Sequence, residues 1–207
     1  MWRKMKHEKG FTMIELVIAV AILGISASVA IPNIIGWMPM MRVNSAARDI
    51  ASEMQLARMK AVSEKNNYVI AFDTTNNRYT IYDDNDNDGN LNETGVAAAN
   101  GNESSKGPLS LPDGIRFGRA TTGIKRIDAP TSDIGATGLH LLPTGSTSLT
   151  FTPQGIITGF GGSLYLIPTE DDENNTQWTY RWRAVSVNVT GRIKTWKYDA
   201  GSSPPWT

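Results

Sequence analysis

Gly10-Phe11-Thr12-Met13-Ile14-Glu15 is the most informative motif of the sequence, and the chain that follows it from Leu16 to Met41 carries no charge. As a helix, the segment from Leu16 to Ile35 would be roughly 30 Å long, enough to cross the hydrocarbon core of a bilayer. Glu15 stands just inside this apolar run. A carboxylate without a partner in lipid costs about 3 kcal/mol. The sequence therefore predicts a specific partner for Glu15.

A short basic segment precedes the apolar run, with four basic residues and one acidic residue among residues 1–9. Basic flanks favour the cytoplasmic side, so the chain is expected to cross a membrane once, with its C-terminal domain outside. A secretory signal peptide would have a shorter apolar core that ends in a small-residue cleavage site. Here the run is longer and the small residue, Gly10, precedes it. A plain anchor would explain the length and the basic flank but not Glu15.

These features, in this order, resemble the N-terminal signal of type IV pilins and pseudopilins. The resemblance implies that a prepilin peptidase cuts between Gly10 and Phe11 and methylates the new N-terminus at Phe11. It also implies that Glu15 pairs with a freed N-terminal amine as the subunit joins a filament, which neutralises both charges in the apolar filament core. Pro32 stands where the family kinks this helix, because a proline removes a backbone donor. The implied location is the bacterial inner membrane, with the C-terminal domain in the periplasm, before assembly into a pilus or pseudopilus. The implied partners are other pilin-like subunits, the inner-membrane assembly platform and membrane lipid.

The composition limits the remaining possibilities. The chain has 207 residues, 20 basic and 20 acidic, and no cysteine. Without its leader it carries 16 basic and 19 acidic residues, which does not indicate a globally basic nucleic-acid-binding protein. Disulfides and thiolate zinc sites are excluded. The length suits one anchor and one domain of ordinary size.

The hydrophobic pattern predicts one long helix and then strands only. From Arg42 to Lys65 an alanine-rich apolar stripe recurs at three- and four-residue spacing: Val43, Ala46, Ala47, Ile50, Met54, Ala57 and Ala61. We predict strands at 68–72, 78–82, 115–117, 139–142, 149–152, 156–158, 163–167, 178–182, 184–189 and 192–198, and a loop at 83–107. The fold class is therefore α+β, with antiparallel sheets packed on the helix. The expected segments are a leader (1–10), a transmembrane and filament-core helix (11–41), its amphipathic continuation (42–65), a β-rich domain (66–200) and a flexible tail or interaction tip (201–207).

Three stretches resemble the FimT-like and type II secretion pseudopilin H group: Asn44 to Arg58, Phe151 to Gly155 and Val187 to Ile193. The resemblance implies a minor subunit at or near the tip of a type II secretion pseudopilus that helps to start assembly. The alternative is a FimT-like minor type IV pilin in pilus biogenesis or DNA uptake. Both machines share the helix, so the sequence leaves the two open. Residues 83–138 match the family little.

An acidic stretch provides a candidate calcium site. Asp84, Asp86 and Asp88, with the backbone carbonyl of Asn90, follow the first half of a calcium-binding loop, including a glycine at its sixth position. The twelfth position, which needs a bidentate glutamate, is Gly95. The alternative is a solvated acidic loop. No cofactor is expected to be required, and calcium is the candidate ion.

Basic and aromatic residues alternate near the C-terminus, and they provide a candidate DNA-binding surface through Arg181, Arg183, Arg192 and Lys194. Gly191-Arg-Ile-Lys194 is similar to the Gly-Arg-x-Arg pattern through which some FimT-like pilins bind DNA, although lysine lacks the planar fork of arginine. The alternative is structural: one face of these strands lies in the core and the cations lie in water. The net negative charge of the domain favours this alternative.

Candidate catalytic residues are few. His7 leaves with the leader, so His140 is the only histidine of the mature chain, and it lies in an apolar strand. The sequence contains no Gly-x-Ser-x-Gly elbow, phosphate loop or histidine cluster. We therefore predict that the protein is not an enzyme and that His140 is a sheet residue rather than a ligand.

Overall fold

A computed structural model describes residues 10–85, 104–119, 123–128, 132–143, 145–171, 176–202 and 205–207. The chain forms two compact units, one ending at Met38 and the other running from Pro39 to Thr207. Helix α1 extends from Met13 to Glu64, through Pro32. Its first 19 residues, Met13–Ile31, have a mean hydropathy of 2.5 and no buried side chains. This segment is long and apolar enough to cross a membrane.

The second part of α1 packs on the sheets through the predicted stripe. All seven stripe residues are at most 2% exposed, so the predicted buried face is confirmed. Four of the seven are alanines, which allow the sheets to approach the helix closely. After Glu64 the chain turns at Lys65, whose φ of 61° lies in the left-handed region.

Sheet A has four antiparallel strands in the order β3-β2-β1-β6. The strands are β1 (Asn67–Asp73), β2 (Arg78–Asp84), β3 (Ser105–Ser110) and β6 (Ser148–Phe151). The β1–β2 hairpin was predicted from its turn residues and is confirmed, with Asp73 opposite Arg78 at its closed end.

Sheet B has five strands, in the order β4-β7-β8-β9, with β5 paired to β7 beside β4. The strands are β4 (Ile115–Phe117), β5 (Leu139–Leu142), β7 (Gly161–Pro168), β8 (Arg183–Asn188) and β9 (Ile193–Lys197). All eight residues of β7 are buried, because both faces of the sheet are covered. On one face Leu164 and Leu166 join the main core with α1. On the other, Tyr165 and Ile167 join a second core with Trp182 and Trp206.

The expected strand at 178–182 is wrong. Residues Thr176–Arg181 form a 3-10 helix, and the amide of Trp182 donates to the carbonyl of Thr179 at 3.0 Å. The indole of Trp182 donates to the buried carboxylate of Asp171 at 2.7 Å. This tertiary contact holds the Trp182 side chain in place although the preceding segment is a turn. The aromatic composition of the segment, taken alone, favoured a strand.

Two other boundaries differ from the expectation. Residues 156–158 make only an isolated bridge, Ile157 with Phe151, because the turn after β6 is too tight for a full strand. The expected loop at 83–107 is wrong at both ends, since β2 continues to Asp84 and β3 begins at Ser105. β3 is exposed along nearly all its length, so it carries no apolar alternation that could have indicated it.

The expected flexible tail is also wrong for its last residues. Trp206 is 3% exposed in the second core, and its indole donates to the carbonyl of Lys125 at 2.8 Å. Thr207 and Lys197 exchange two backbone hydrogen bonds. Burial of one large aromatic residue therefore fixes a segment whose glycine, serine and proline content is typical of a loop.

Candidate functional site

The start of α1 places Gly10 and Phe11 in exposed backbone just before the first helical turn. Thr12 and Glu15 form a reciprocal pair there: the Thr12 hydroxyl accepts from the Glu15 amide at 3.3 Å, and the Glu15 carboxylate accepts from the Thr12 amide at 3.5 Å. These long hydrogen bonds are those of a capping box. The predicted partner of Glu15 is a neighbour's amine, but within one chain the carboxylate caps its own helix. The Thr-x-x-Glu spacing was the sequence signal for this role.

The candidate calcium residues begin inside sheet A. Asp84 ends β2, is fully buried and accepts from the Asn67 amide group at 3.4 Å. Beside it Asn66 donates to Asp83 and Asn85. Asp86, Asp88 and Asn90 lie outside the described residues, so calcium binding stays a prediction.

The three stretches of family resemblance meet at Arg58. Its Nε donates to the carbonyl of Gly155 at 2.7 Å, in the turn after β6. Its Nη2 donates to the carbonyl of Thr190 at 3.1 Å, in the turn between β8 and β9. A Cβ on Gly191 would lie 2.2 Å from the carbonyl oxygen of Gly155 and 2.8 Å from Nε of Arg58. The glycine of the Gly-Arg pattern is therefore required for packing, whatever its neighbour binds.

The four candidate DNA-binding residues fall into two groups. Arg181 and Arg183 are buried: Arg181 pairs with Glu170 at 2.6 Å, and Arg183 donates to Asn44 and to the carbonyls of Tyr180 and Trp182. Burial lowers the pKa of Arg183. Arg192 and Lys194 are exposed on or beside β9. The structure therefore does not bring the four cations together on one surface.

Arg192 and Lys194 border a cavity of about 340 Å³ on the face of sheet B that carries the second core. Lys194 lies over the ring of Trp196, with Nζ 3.4 Å from the ring centroid. The remaining lining is mainly apolar: Ile127, Leu142, Phe160, Gly161, Gly162 and Val187, with Asp128, Ser186 and Asn188 as polar members. This combination of apolar walls and few polar groups is typical of a binding site.

A half-buried polar cluster supports the wall of this cavity, and the lone histidine was its only signal in the sequence. Asp128 accepts from Ser163 at 2.9 Å, pairs with Arg126 and lies 3.1 Å from Nδ1 of His140. Burial alone would raise the pKa of Asp128, but hydrogen bonds from Arg126 and Ser163 hold it below its usual range. Burial lowers the pKa of His140, and Asp128 opposes that shift only in part.

The cluster is not arranged for nucleophilic catalysis. Ser163 is fully buried and shares its hydroxyl between Asp128 and the Tyr165 hydroxyl, which lies 3.0 Å away. The Tyr165 hydroxyl in turn accepts from the Ile127 amide at 3.0 Å. These contacts fix the segment around Asp128 on sheet B. His140 itself lies in β5, so the prediction that it is a sheet residue is confirmed.

Two protein-family models match different parts of the chain. Residues 5–31 match the model of the prokaryotic N-terminal methylation motif, and residues 46–191 match the model of the family described as type II transport protein GspH. Two curated fimbrial proteins of Pseudomonas aeruginosa are each 36% identical over 77 residues, which is 37% of this chain and 49% of the relative. The chain thus spans about half the length of the curated relatives it matches.

Solved structures of minor pilins and pseudopilins are also similar. The minor pseudopilin EpsH from the type 2 secretion system of Vibrio cholerae gives a TM-score of 0.45 at 11% identity, over 75% of this chain and 97% of that chain. The type IV minor pilin FimU of P. aeruginosa PAO1 gives 0.42 at 16% identity, over 80% of this chain and 92% of that chain.

Proposed function

Because this chain belongs to the type II transport protein GspH family, we propose that it is a minor pseudopilin at or near the tip of a type II secretion pseudopilus, where it helps to initiate assembly. The observation that carries the proposal is the pairing of two matches in one chain: the methylation motif on the apolar helix and the GspH match over most of the domain. The proposed partners are other pilin-like subunits, prepilin peptidase and the inner-membrane assembly platform. The proposed orientation places the N-terminus in the cytoplasm and the domain in the periplasm.

Processing between Gly10 and Phe11 is the first step of this proposal. We expect Gly10→Ala to block cleavage, so that mass spectrometry of the membrane fraction finds only the precursor. A Cβ at Gly10 would meet nothing within 4 Å, so a loss of processing would reflect peptidase recognition rather than a packing defect.

Gly24→Ala is the matched control, because a Cβ there also meets nothing within 4 Å. This variant should be cut normally. Detection of the usual shortened product from Gly10→Ala would contradict the cleavage site.

Assembly through Glu15 is the second step. Glu15→Ala and Glu15→Gln should both be processed but should enter filaments poorly, because neither can neutralise a neighbour's amine. Glutamine can still complete a capping box. Glu15→Gln therefore removes the negative charge but keeps the helix cap, and it tests the charge by itself. The measurement is the fraction of processed subunit in sheared or cross-linked filaments.

Thr12→Ala is the control for this experiment, since it removes the cap and keeps the carboxylate. It should assemble close to the wild-type level. Normal incorporation of Glu15→Gln into filaments would contradict the charge-pairing role of Glu15.

DNA uptake is the second candidate function, and the observation that favours it is the exposure of Arg192 and Lys194 at β9. Duplex DNA binding by this surface would weaken steeply with salt, with a slope of about −0.9 per phosphate contact. Replacing both residues with alanine would abolish it. If DNA does not bind at low salt, or binds equally to the double variant, this surface does not bind DNA. The pseudopilin proposal would then be the one candidate function left.

A further inference from the structure

The outer edge of β9, on the side away from β8, accepts a short strand at one end. Lys197 and Thr207 exchange N–H···O=C hydrogen bonds of 2.8 and 2.9 Å, and Tyr198 pairs with Trp206 in the antiparallel sense. The outer backbone groups of Lys197 therefore point away from β8. Partners alternate along an antiparallel strand, so the N–H and C=O groups of Thr195 and Ile193 point the same way. Among the described residues, no backbone hydrogen bond reaches the outward groups of Ile193 and Thr195.

The outer edges of β3 and β6 in sheet A are less suited to receiving a strand. β3 departs from regular pairing between Tyr79 and Ile81, and Gly107 within it has a φ of 126°. Bulges and irregular backbone of this kind protect an edge. β6 is covered by its own turn, since Thr158 donates to the carbonyl of Thr150. β9 has a regular register with β8 along its whole length, and Thr195 is exposed.

The side chains along this edge are cationic on both faces of the sheet. Arg192 and Lys194 border the 340 Å³ cavity on one face. Lys197 and Arg48 line a cavity of about 190 Å³ on the face toward α1. The one carboxylate of the larger cavity, Asp128, is already paired with Arg126. A strand added here would place alternate side chains on the two faces, and both sets would meet positive charge.

We propose that the β9 edge receives an extended, acidic segment of a neighbouring filament subunit as an added antiparallel strand. Backbone hydrogen bonds to Ile193 and Thr195 would supply affinity, as in other cases of strand addition. The larger cavity would take an apolar side chain next to Trp196 and Phe160, and carboxylates would face the cations. That the segment comes from a neighbouring filament subunit rests on the proposed function. That the β9 edge binds an acidic strand does not.

Strand addition can be tested with the processed full-length chain in detergent micelles. The probe is a fluorescent eight-residue peptide of two Glu-Val-Thr-Glu repeats, which presents glutamates on both faces, and the readout is anisotropy. Thr195→Pro removes the outward N–H but none of the hydrogen bonds to β8, a position where edge strands tolerate proline. We expect roughly threefold to tenfold weaker binding, the effect of one lost hydrogen bond. Thr195→Val, which keeps the N–H, should bind like the wild type.

A backbone-modified peptide keeps the test informative if Thr195→Pro does not fold. N-methylation of alternate amides preserves the glutamates but prevents strand pairing on one side, so this peptide should bind weakly to the wild type. A peptide with lysine in place of glutamate should not bind. Equal binding of the N-methylated peptide, or no binding of the parent peptide, would overturn strand addition.

The source of the strand can be identified in cells. A photo-crosslinking residue at position 195 should capture an acidic segment of another pilin-like subunit, and one at Thr75, in the exposed β1–β2 turn, should not. Capture of a secreted or unrelated protein, or no capture beyond the Thr75 level, would overturn the filament source. The peptide assay does not use filaments, so its failure is distinguishable from a failure of the assembly role of Glu15.

Discussion

Glu15 caps its own helix in the single chain, and its position in the first turn of α1 also suits the neighbour's amine that we propose as its partner in a filament. In the single chain it faces the amides of a helix N-terminus, where a carboxylate is stabilised by the helix dipole. Such a cap contributes about 1 kcal/mol. In the filament that we propose, an ammonium group beside the same carboxylate would become necessary, since an unpaired charge there is strongly unfavourable. Glu15 would then exchange its cap for a neighbour's amine as the subunit joins the filament.

Gly191 is the residue whose substitution should most directly disturb the junction of the three family stretches. Gly191→Ala combines a φ of 74° with a Cβ placed 2.2 Å from the Gly155 carbonyl, so we expect a loss of about 2–4 kcal/mol in the free energy of unfolding. Gly123→Ala is the matched control, because its φ is 82° but a Cβ there meets nothing within 4 Å. Its loss should be about 1 kcal/mol. Equal denaturant midpoints for the two variants would contradict the clash.

His140 should make stability depend on pH between about 5.5 and 7.5. Burial lowers its native pKa below the unfolded value of about 6.5. The unfolded state then binds more protons in this range, so the free energy of unfolding falls as the pH decreases through about 6.5. Asp128 and Arg126 act on the imidazole, and Asp128, whose pKa is held below its usual range, stays ionised throughout this range.

The measurement is urea unfolding of the processed chain at pH 7.5 and pH 5.5. His140→Gln should reduce the difference between the two values. The acidic residues with lowered pKa values, Asp73, Asp128 and Asp133, affect stability only at lower pH, as they become protonated. An unchanged pH dependence in His140→Gln would contradict this assignment.

Among the elements, the C-terminal segment contributes more than its length suggests. Trp206 contacts Tyr165 and Tyr198 at ring-centroid distances of 5.3 and 5.0 Å and closes the second core. Trp206→Ala should lower the free energy of unfolding by about 3–5 kcal/mol, the usual effect of removing a large buried aromatic side chain. Phe160→Ala, at a position 75% exposed, should change it by less than about 0.5 kcal/mol. Similar melting temperatures for the two variants would refute this role.

The elements that the sequence predicted well are those whose burial follows a simple period. The α1 stripe and the β1–β2 hairpin each bury one face, so their patterns were readable. β3 buries almost nothing, and the 3-10 helix is held by the contact of Trp182 with Asp171. Neither leaves a local pattern, because one lacks burial and the other depends on a residue distant in sequence.

For the whole molecule, the sequence predicted the α+β architecture but not the second core. That core joins Ile124, Ile134, Trp182 and Trp206, which come from separate segments and meet only because sheet B lies between two layers. The candidate site residues likewise divide into those that the sequence predicts and those that depend on the fold. Gly10, Phe11 and Glu15 follow from a contiguous motif, whereas the separation of Arg181 and Arg183 from Arg192 and Lys194 depends on which side chains the fold buries.

Arg58 hydrogen-bonds to one turn of each sheet from a single position on α1, and this affects how the domain opens. Separation of the helix from either sheet breaks a guanidinium contact, so we expect this part of α1 and both sheets to open together. In hydrogen exchange, the amides around Met54 and Ala57 should exchange with those of β7 and β8 as one cooperative unit. Arg58→Met, which keeps much of the apolar stem, should let the end of α1 exchange ahead of the sheets.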